Sequence, residues 1–229
     1  MPARQLPLAL PHGAAMGRAD FLVGAANAAA IGVIDRWPDW PSRAVLLAGP
    51  VGSGKTHLVE IWRAASGAEV VAGRDLGARQ ADLLLARNAV AVEDLHAGPI
   101  DERALFHLLN LAGERHAFVL MTSRQWPSAL PVTLPDLASR LRAAQPVELA
   151  EPDDELLRRV LTKLFSDRQL AVDAAVVDYI VTRMERSLGA AGAIVEALDR
   201  EALAEGRAIT RRLAAAVLGP GIGIPSPEE

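Results

Sequence analysis

No cysteine occurs among the 229 residues of the chain. That absence excludes a disulfide framework, thiol catalysis and a thiolate zinc site, and it agrees with a reducing compartment. Long apolar runs are missing too: nothing approaches the roughly 18 residues of a membrane span, and Pro7 and Pro11 interrupt the only apolar stretch near the start. The sequence therefore predicts a cytoplasmic protein with no membrane contact. Positive charge is not in surplus, because 24 basic residues face 28 acidic ones for a net charge of −4. A generic nucleic-acid binder needs a concentrated basic surface that this balance does not supply. The histidines, at positions 12, 57, 96, 107 and 116, have no metal-ligand spacing and read as surface or packing residues. Lysine is scarce among the cations: of the 24 basic residues only Lys55 and Lys163 are lysine. Where a compact ammonium survives in a chain that otherwise writes arginine, its size and shape matter.

What is present divides the chain. Residues 1–19 form a leader rich in Pro, Gly and Ala, expected to be flexible, and residues 219–229 (GPGIGIPSPEE) an equally irregular tail. From 20 to 150, apolar strand-like runs alternate with amphipathic helical stretches: AVLLA at 44–48, AVAV at 89–92 and FVLMTS at 118–123. That alternation predicts an α/β domain, a parallel sheet flanked by helices. From 151 to 218 the pattern is helical only, in DDELLRRVLTKLF, AAVVDYIVTRME, AGAIVEALDREALAEG and TRRLAAAVLG, with Thr210 and Gly219 as an N-cap and C-terminal pair. A small all-α domain is expected to follow the α/β one.

The densest chemical signal is GPVGSGKT, from Gly49 through Pro50, Val51, Gly52, Ser53, Gly54 and Lys55 to Thr56, with His57 next. It fits the phosphate-loop pattern G-x-x-x-x-G-K-[ST] and lies between a strand run and a helical stretch, the context that the motif requires. Glycines let backbone N–H groups face phosphates at a helix N-terminus, the lysine reaches the β and γ oxygens, and the threonine hydroxyl suits Mg2+. One of just two lysines stands where a guanidinium would not fit. A phosphate loop also needs acidic groups at a neighbouring strand end, and AVAVEDLH offers Glu93 and Asp94. Glu93 stands at the magnesium-organising position in place of the usual aspartate, with Thr56 as its co-ligand, and Asp94 is the candidate to polarise water. The order Glu-Asp points to slow intrinsic hydrolysis. Read without context, the pair is also compatible with a solvated strand end.

With these motifs in order, the sequence resembles the DnaA branch of the AAA+ ATPases and, within it, the Hda-type regulators of replication initiation. DFLVGAANAAAIGVI, Asp20 to Ile34, is similar to the family's N-terminal box, in which an apolar segment and an asparagine lie beside adenine; here these are Leu22, Val23 and Asn27. ALFHLLNLAGERHAFVLMTSRQWP is similar to the helix and sensor strand of the family, which ends here in Thr122 and Ser123, with Arg124 where the family commonly has an acidic residue. LPDLASRLRAAQPVEL is similar to the box that carries its arginine finger, here Arg140. On its own, without that resemblance, Arg140 beside Arg142 reads better as a surface charge on a helix. In the lid, RSLGAAGAIVEALDR aligns with a stretch whose fifth residue is a nucleotide-contacting arginine, and that position is Ala190, with Arg186 one turn earlier.

The resemblance implies a ligand, ADP or ATP with Mg2+, and catalytic roles for Arg140, Asp94, Glu93 and Ser123. It implies DnaA as a partner, the sliding clamp (the β subunit of DNA polymerase III) as a docking platform, DNA contacted through the clamp, and self-association of AAA+ units. Clamp-binding peptides share a glutamine followed by spaced aliphatics, so RQLPLALPH gains a purpose through Gln5, Leu6, Leu8 and Leu10. Extended peptides bury such side chains in grooves, and the prolines keep the segment extended. Taken alone, the same residues fit a leader folded back on its own core. DnaA itself continues into a helix-turn-helix DNA reader, which is not expected after this tail. A DnaC-like helicase loader, a DnaA-related adaptor that uses nucleotide only structurally, and a small P-loop kinase are the alternatives. The kinase would need phosphate-facing arginines that the alanine-rich interior of the lid does not offer.

Overall fold

A computed structural model describes residues 16–77 and 80–219. By their contacts they divide into two units, 16–151 and 152–219. In the first, five strands form one parallel sheet: β1 (Ala44–Ala48), β2 (Glu69–Ala72), β3 (Ala89–Glu93), β4 (Phe118–Ser123) and β5 (Gln145–Glu148), in the order β2-β3-β4-β1-β5. β1, β3 and β4 are the three runs read as strands from sequence. They are buried on both faces, as a parallel sheet covered by helices requires. β2 and β5 escape that reading because they are four-residue edge strands with half-exposed positions, and Pro146 falls inside β5.

Period-two alternation sends successive residues to opposite faces and produces two cores. On one face Val45, Leu47, Ala89, Ala91 and Leu120 pack under α1 (Ala28–Asp35) and α2 (Lys55–Ser66). Trp62 of α2 is fully buried there and stacks on Trp40 at 5.3 Å between ring centroids. On the other face Leu46, Val90, Val92, Val119 and Met121 pack under α3 (Ala81–Leu84), α4 (Glu102–Glu114) and α5 (Pro135–Ala143). The unit starts earlier than composition suggests. Arg18 pairs with Asp35 of α1 at 2.8 Å, and the Gly17 carbonyl lies 3.1 Å from the His57 ring, so residues 16–20 are fastened to the α/β unit.

The second unit is all helical: α6 (Asp154–Asp167), α7 (Ala174–Val181), α8 (Leu188–Glu205) and α9 (Arg211–Leu218). Each of three helices opens on a side-chain cap, from Asp153 to the Leu156 N–H at 2.8 Å, from Ser187 to Ala190 at 3.2 Å and from Thr210 to Leu213 at 3.3 Å. Leu157, Leu161, Phe165, Ile180, Val195 and Leu198 form its own core. α7 is shorter than the sequence pattern, ending at Val181 where the Thr182 and Arg183 N–H groups turn back on Asp178 and Ile180. Among the described residues no helix is long and apolar enough to cross a membrane.

Candidate nucleotide site

The sheet order sets the site. β4 lies between β1 and β3, with Ala48 of β1 in register with Ser123. The loop after β1 and the acidic pair after β3 therefore flank the end of β4, at the C-terminal edge where open α/β sheets bind ligands. In the loop, Gly49 has no space for a side chain, since a Cβ would lie 2.3 Å from the Leu149 carbonyl oxygen. Its N–H donates to the Ser123 carbonyl at 3.1 Å, tying the loop to β4. Gly52 and Gly54 have φ of 68° and 101°, in the left-handed region that a chain reversal into a helix demands and glycine supplies without strain. Pro50 and Ser53 close the turn through a 3.4 Å bond from the Ser53 N–H to the Pro50 carbonyl, and Val51 at the tip is 54% exposed.

Lys55, 8% exposed, donates from Nζ to the Gly49 and Pro50 carbonyls, each at 2.7 Å, and to Ser53 Oγ at 3.5 Å. Burial makes its ammonium easier to deprotonate than an ordinary lysine; Asp94 opposes this, Arg124 adds to it, and Glu93 opposes it. The residues around it fit a polyphosphate: a flexible cation resting on loop carbonyls at the start of a 12-residue helix whose first N–H groups are unpaired. Thr56 is exposed and acts on the Glu93 carboxylate, whose pKa is raised chiefly by burial and held back by the Thr56 hydroxyl. Thr56 and Glu93 thus meet, as joint ligands of one cation would. Mg2+ characteristically takes few protein ligands and completes its shell with phosphates and water. Among the described residues no cluster of three or more His, Cys, Asp or Glu could hold a metal by itself.

Asp94 adopts φ 56° and donates its backbone N–H to Thr122 Oγ1 at 2.9 Å, while the Leu95 N–H donates to the Thr122 carbonyl at 2.9 Å. Thr122 thus shapes the acidic turn. Ser123, fully buried, spends its hydroxyl on the Gln125 N–H at 2.9 Å. On the opposite side, Asn27 is 2% exposed; its Oδ1 accepts from the Gly24 N–H at 2.9 Å and its Nδ2 donates to the Leu22 carbonyl at 3.0 Å. It braces the segment that holds Leu22 and Val23, the latter 37% exposed. His57, in the first turn of α2, meets Phe21 edge to face at 5.1 Å.

Arg140 stands apart. It is exposed on α5, whose Leu137 and Leu141 are fully buried on the other face, and its guanidinium makes no hydrogen bond or ion pair with any described residue. It is not among the charges acting on Lys55, Glu93 or His96. In the lid, Ala190 is 3% exposed within that unit's own core, so the outward position of the first turn of α8 is Gly189. Arg186 pairs with Asp154 at 2.8 Å. Gln5, Leu6, Leu8 and Leu10 lie outside the described residues.

Solved structures share this architecture. Domain III of the Thermotoga maritima replication initiation protein DnaA superposes with a TM-score of 0.73 at 17% identity, covering 91% of this chain and 98% of that one. DnaA from Aquifex aeolicus, bound to AMPPCP, gives 0.64 at 19% identity over 78% of this chain and 63% of that one. At such identities the likeness shows the fold, which is that of the AAA+ proteins. An uncharacterised protein of Haemophilus influenzae is 27% identical over 174 residues, 71% of this chain and 75% of its own. Residues 153–218 match the family described as the Hda lid domain. The chain thus has the fold of DnaA domain III, and its C-terminal residues are similar to the Hda lid domain.

In this fold the loop motif and acidic pair, read from spacing, are brought to one sheet edge. Two participants had no sequence signal. His96 read as a packing residue, yet its Nδ1 accepts the Arg124 N–H at 3.1 Å, leaving a buried Nε2 without a partner; its pKa is lowered by burial and then by Arg124. Glu102 accepts from the Thr133 and Leu134 N–H groups at 2.9 and 2.6 Å and so fastens the start of α5. Both act on main-chain N–H groups, which leave no pattern in a sequence.

Proposed function

We propose that this chain binds adenine nucleotide, ADP or ATP with Mg2+, and acts in the cytoplasm on the DNA-loaded sliding clamp to stimulate hydrolysis of ATP held by DnaA, restraining replication initiation. Gly49 to Thr56 cradle the phosphates, and Lys55 exchanges its bonds to loop carbonyls for phosphate oxygens. Thr56 and Glu93 hold the cation, and Asp94 and Ser123 order the phosphate end. Asn27 holds Leu22 and Val23 against the base, and His57 packs behind them. Gln5, Leu6, Leu8 and Leu10 are the clamp tether.

The observation that carries the reading is Arg140. A guanidinium left exposed with no partner among the described residues, on a helix anchored by two fully buried leucines, is held ready for a charge on another molecule. A guanidinium supplied in trans to a transferring phosphoryl group contributes about 10³- to 10⁵-fold in rate in other nucleotide hydrolases. The experiment follows turnover of DnaA-bound ATP with clamp, DNA and this protein. Arg140→Ala is expected to remove the stimulation, with unchanged clamp binding and unchanged nucleotide affinity of its own. Stimulation equal to that of the unsubstituted protein would sink the assignment.

A further inference from the structure

We propose that the groove between α8 and α9 is a docking site for an acidic, amphipathic helix of a partner protein. The groove belongs wholly to the helical unit, so the inference does not depend on the nucleotide reading of the phosphate loop. It has a volume of about 620 Å³ and is lined by Arg200 and Glu201 of α8, by Arg207 of the connection, and by Arg212, Leu213 and Val217 of α9. Leu213 and Val217 stand one turn apart on one face of α9. Each is half-buried, packing against the core of the unit and bordering the groove as well. Leu203, one turn beyond Arg200 on α8, is 64% exposed, the one large apolar side chain so open among the described residues of this unit. The floor is therefore apolar, and covering such surface with a second apolar face is favourable.

The rim is cationic. Among the described residues that line the groove, Arg200, Arg207 and Arg212 stand against one carboxylate, Glu201. Elsewhere in the unit charges are matched: Arg158 with Asp178 and Lys163 with Asp167 at 2.6 Å, Arg186 with Asp154 at 2.8 Å, and Arg168 with Asp199 at 3.8 Å. Arg200 and Arg212 are exposed instead, and make no hydrogen bond or ion pair with any described residue. A phosphodiester backbone would satisfy these arginines but would cover none of Leu203, Leu213 and Val217. An acidic helix satisfies both. Apolar side chains at i, i+3 and i+4 settle between α8 and α9 as a ridge enters a groove, and glutamates on the flank make charge-assisted bonds to Arg200 and Arg212.

The test is fluorescence anisotropy of the full chain with a fluorescein-labelled helical peptide whose leucines recur at i, i+3 and i+4 and whose other face is glutamate. The unsubstituted protein is expected to bind it. Arg200→Ala and Arg212→Ala should each weaken binding about tenfold, since each removes a charge-assisted bond. Ala216→Glu, at an exposed alanine of the lining, should abolish it by adding a like charge. Arg158→Ala, which removes a cation paired with Asp178 outside the groove, should leave binding within about twofold. All four positions are exposed, so the fold tolerates the substitutions. The proposal is overturned if the unsubstituted protein does not bind the peptide, or binds equally well a version with glutamine for glutamate. A labelled DNA duplex that binds with the same dependence on Arg200 and Arg212 would overturn it in favour of a phosphate-binding surface. Displacement of the labelled peptide by one of residues 219–229 would overturn it in favour of the chain's own tail.

Discussion

At Asn27 one side chain separates what a motif implies from what a fold requires. The resemblance sets this residue beside adenine, but both ends of its amide are bonded to the main chain of Leu22 and Gly24, and the residue is 2% exposed. Its physical task is to hold a short segment that has no helix or strand of its own. Lys55 was legible because the loop pattern dictates a residue type, and a chain that avoids lysine makes the exception visible. The bracing at Asn27 was not, because its partners are backbone atoms common to every residue. Replacing Asn27 by Asp keeps the acceptor for Gly24 N–H, removes the donor to the Leu22 carbonyl and buries a negative charge. We expect it to cost about 1–3 kcal/mol, read as a lower urea midpoint with an unchanged m-value. A midpoint equal to that of the unsubstituted protein would mean that the 22–24 segment does not depend on the amide.

Elements differ in legibility for reasons of geometry. β1, β3 and β4 announce themselves as apolar runs because both their faces are covered, whereas β2 and β5 sit at the sheet edges with half-exposed positions and carry no such run. The capped helices α6, α8 and α9 were readable from 3.6-residue periodicity, since an amphipathic face must repeat at that spacing. How α5 is attached was not. Its start is tied to α4 by Glu102, which takes N–H bonds from Thr133 and Leu134 and a hydroxyl bond from Thr133 at 3.0 Å. Those N–H groups, Thr133 first and Leu134 next, hold the Glu102 carboxyl below the ordinary glutamate range. The folded state therefore releases this proton more readily than the unfolded one. The resulting stability is present above the unfolded value of about 4.3 and is lost as pH falls through the lower folded value. The melting temperature of the unsubstituted protein should exceed that of Glu102→Gln at pH 7, and the gap should close as pH falls below about 4. A gap that is the same at both ends of that range would show that the carboxylate charge is not what fastens α5.

For the whole molecule, the change near residue 150 from strand-helix alternation to helices alone was visible in sequence because each unit has its own core, and each core imposes its own periodicity. The same division distributes the aromatic residues unevenly. All four tryptophans, at positions 37, 40, 62 and 126, fall in the α/β unit, and three of them share ring contacts beneath α2, with Trp37 and Trp40 each against Trp62 and Phe118. The lid has Tyr179 and Phe165 as its aromatic residues and no tryptophan. Tryptophan emission during unfolding therefore reports the α/β unit, which also carries the phosphate loop at the start of the helix that buries Trp62. A ligand that binds the folded unit and not the unfolded chain stabilises it by about 2.7 kcal/mol at a hundredfold excess over Kd. The emission-detected urea midpoint should rise accordingly when ADP or ATP is added with Mg2+. Lys55→Ala should abolish that rise, because the loop loses the cation that exchanges carbonyl oxygens for phosphate. An equal rise in Lys55→Ala would place nucleotide binding away from the loop, since no other feature of the substitution would preserve the linkage.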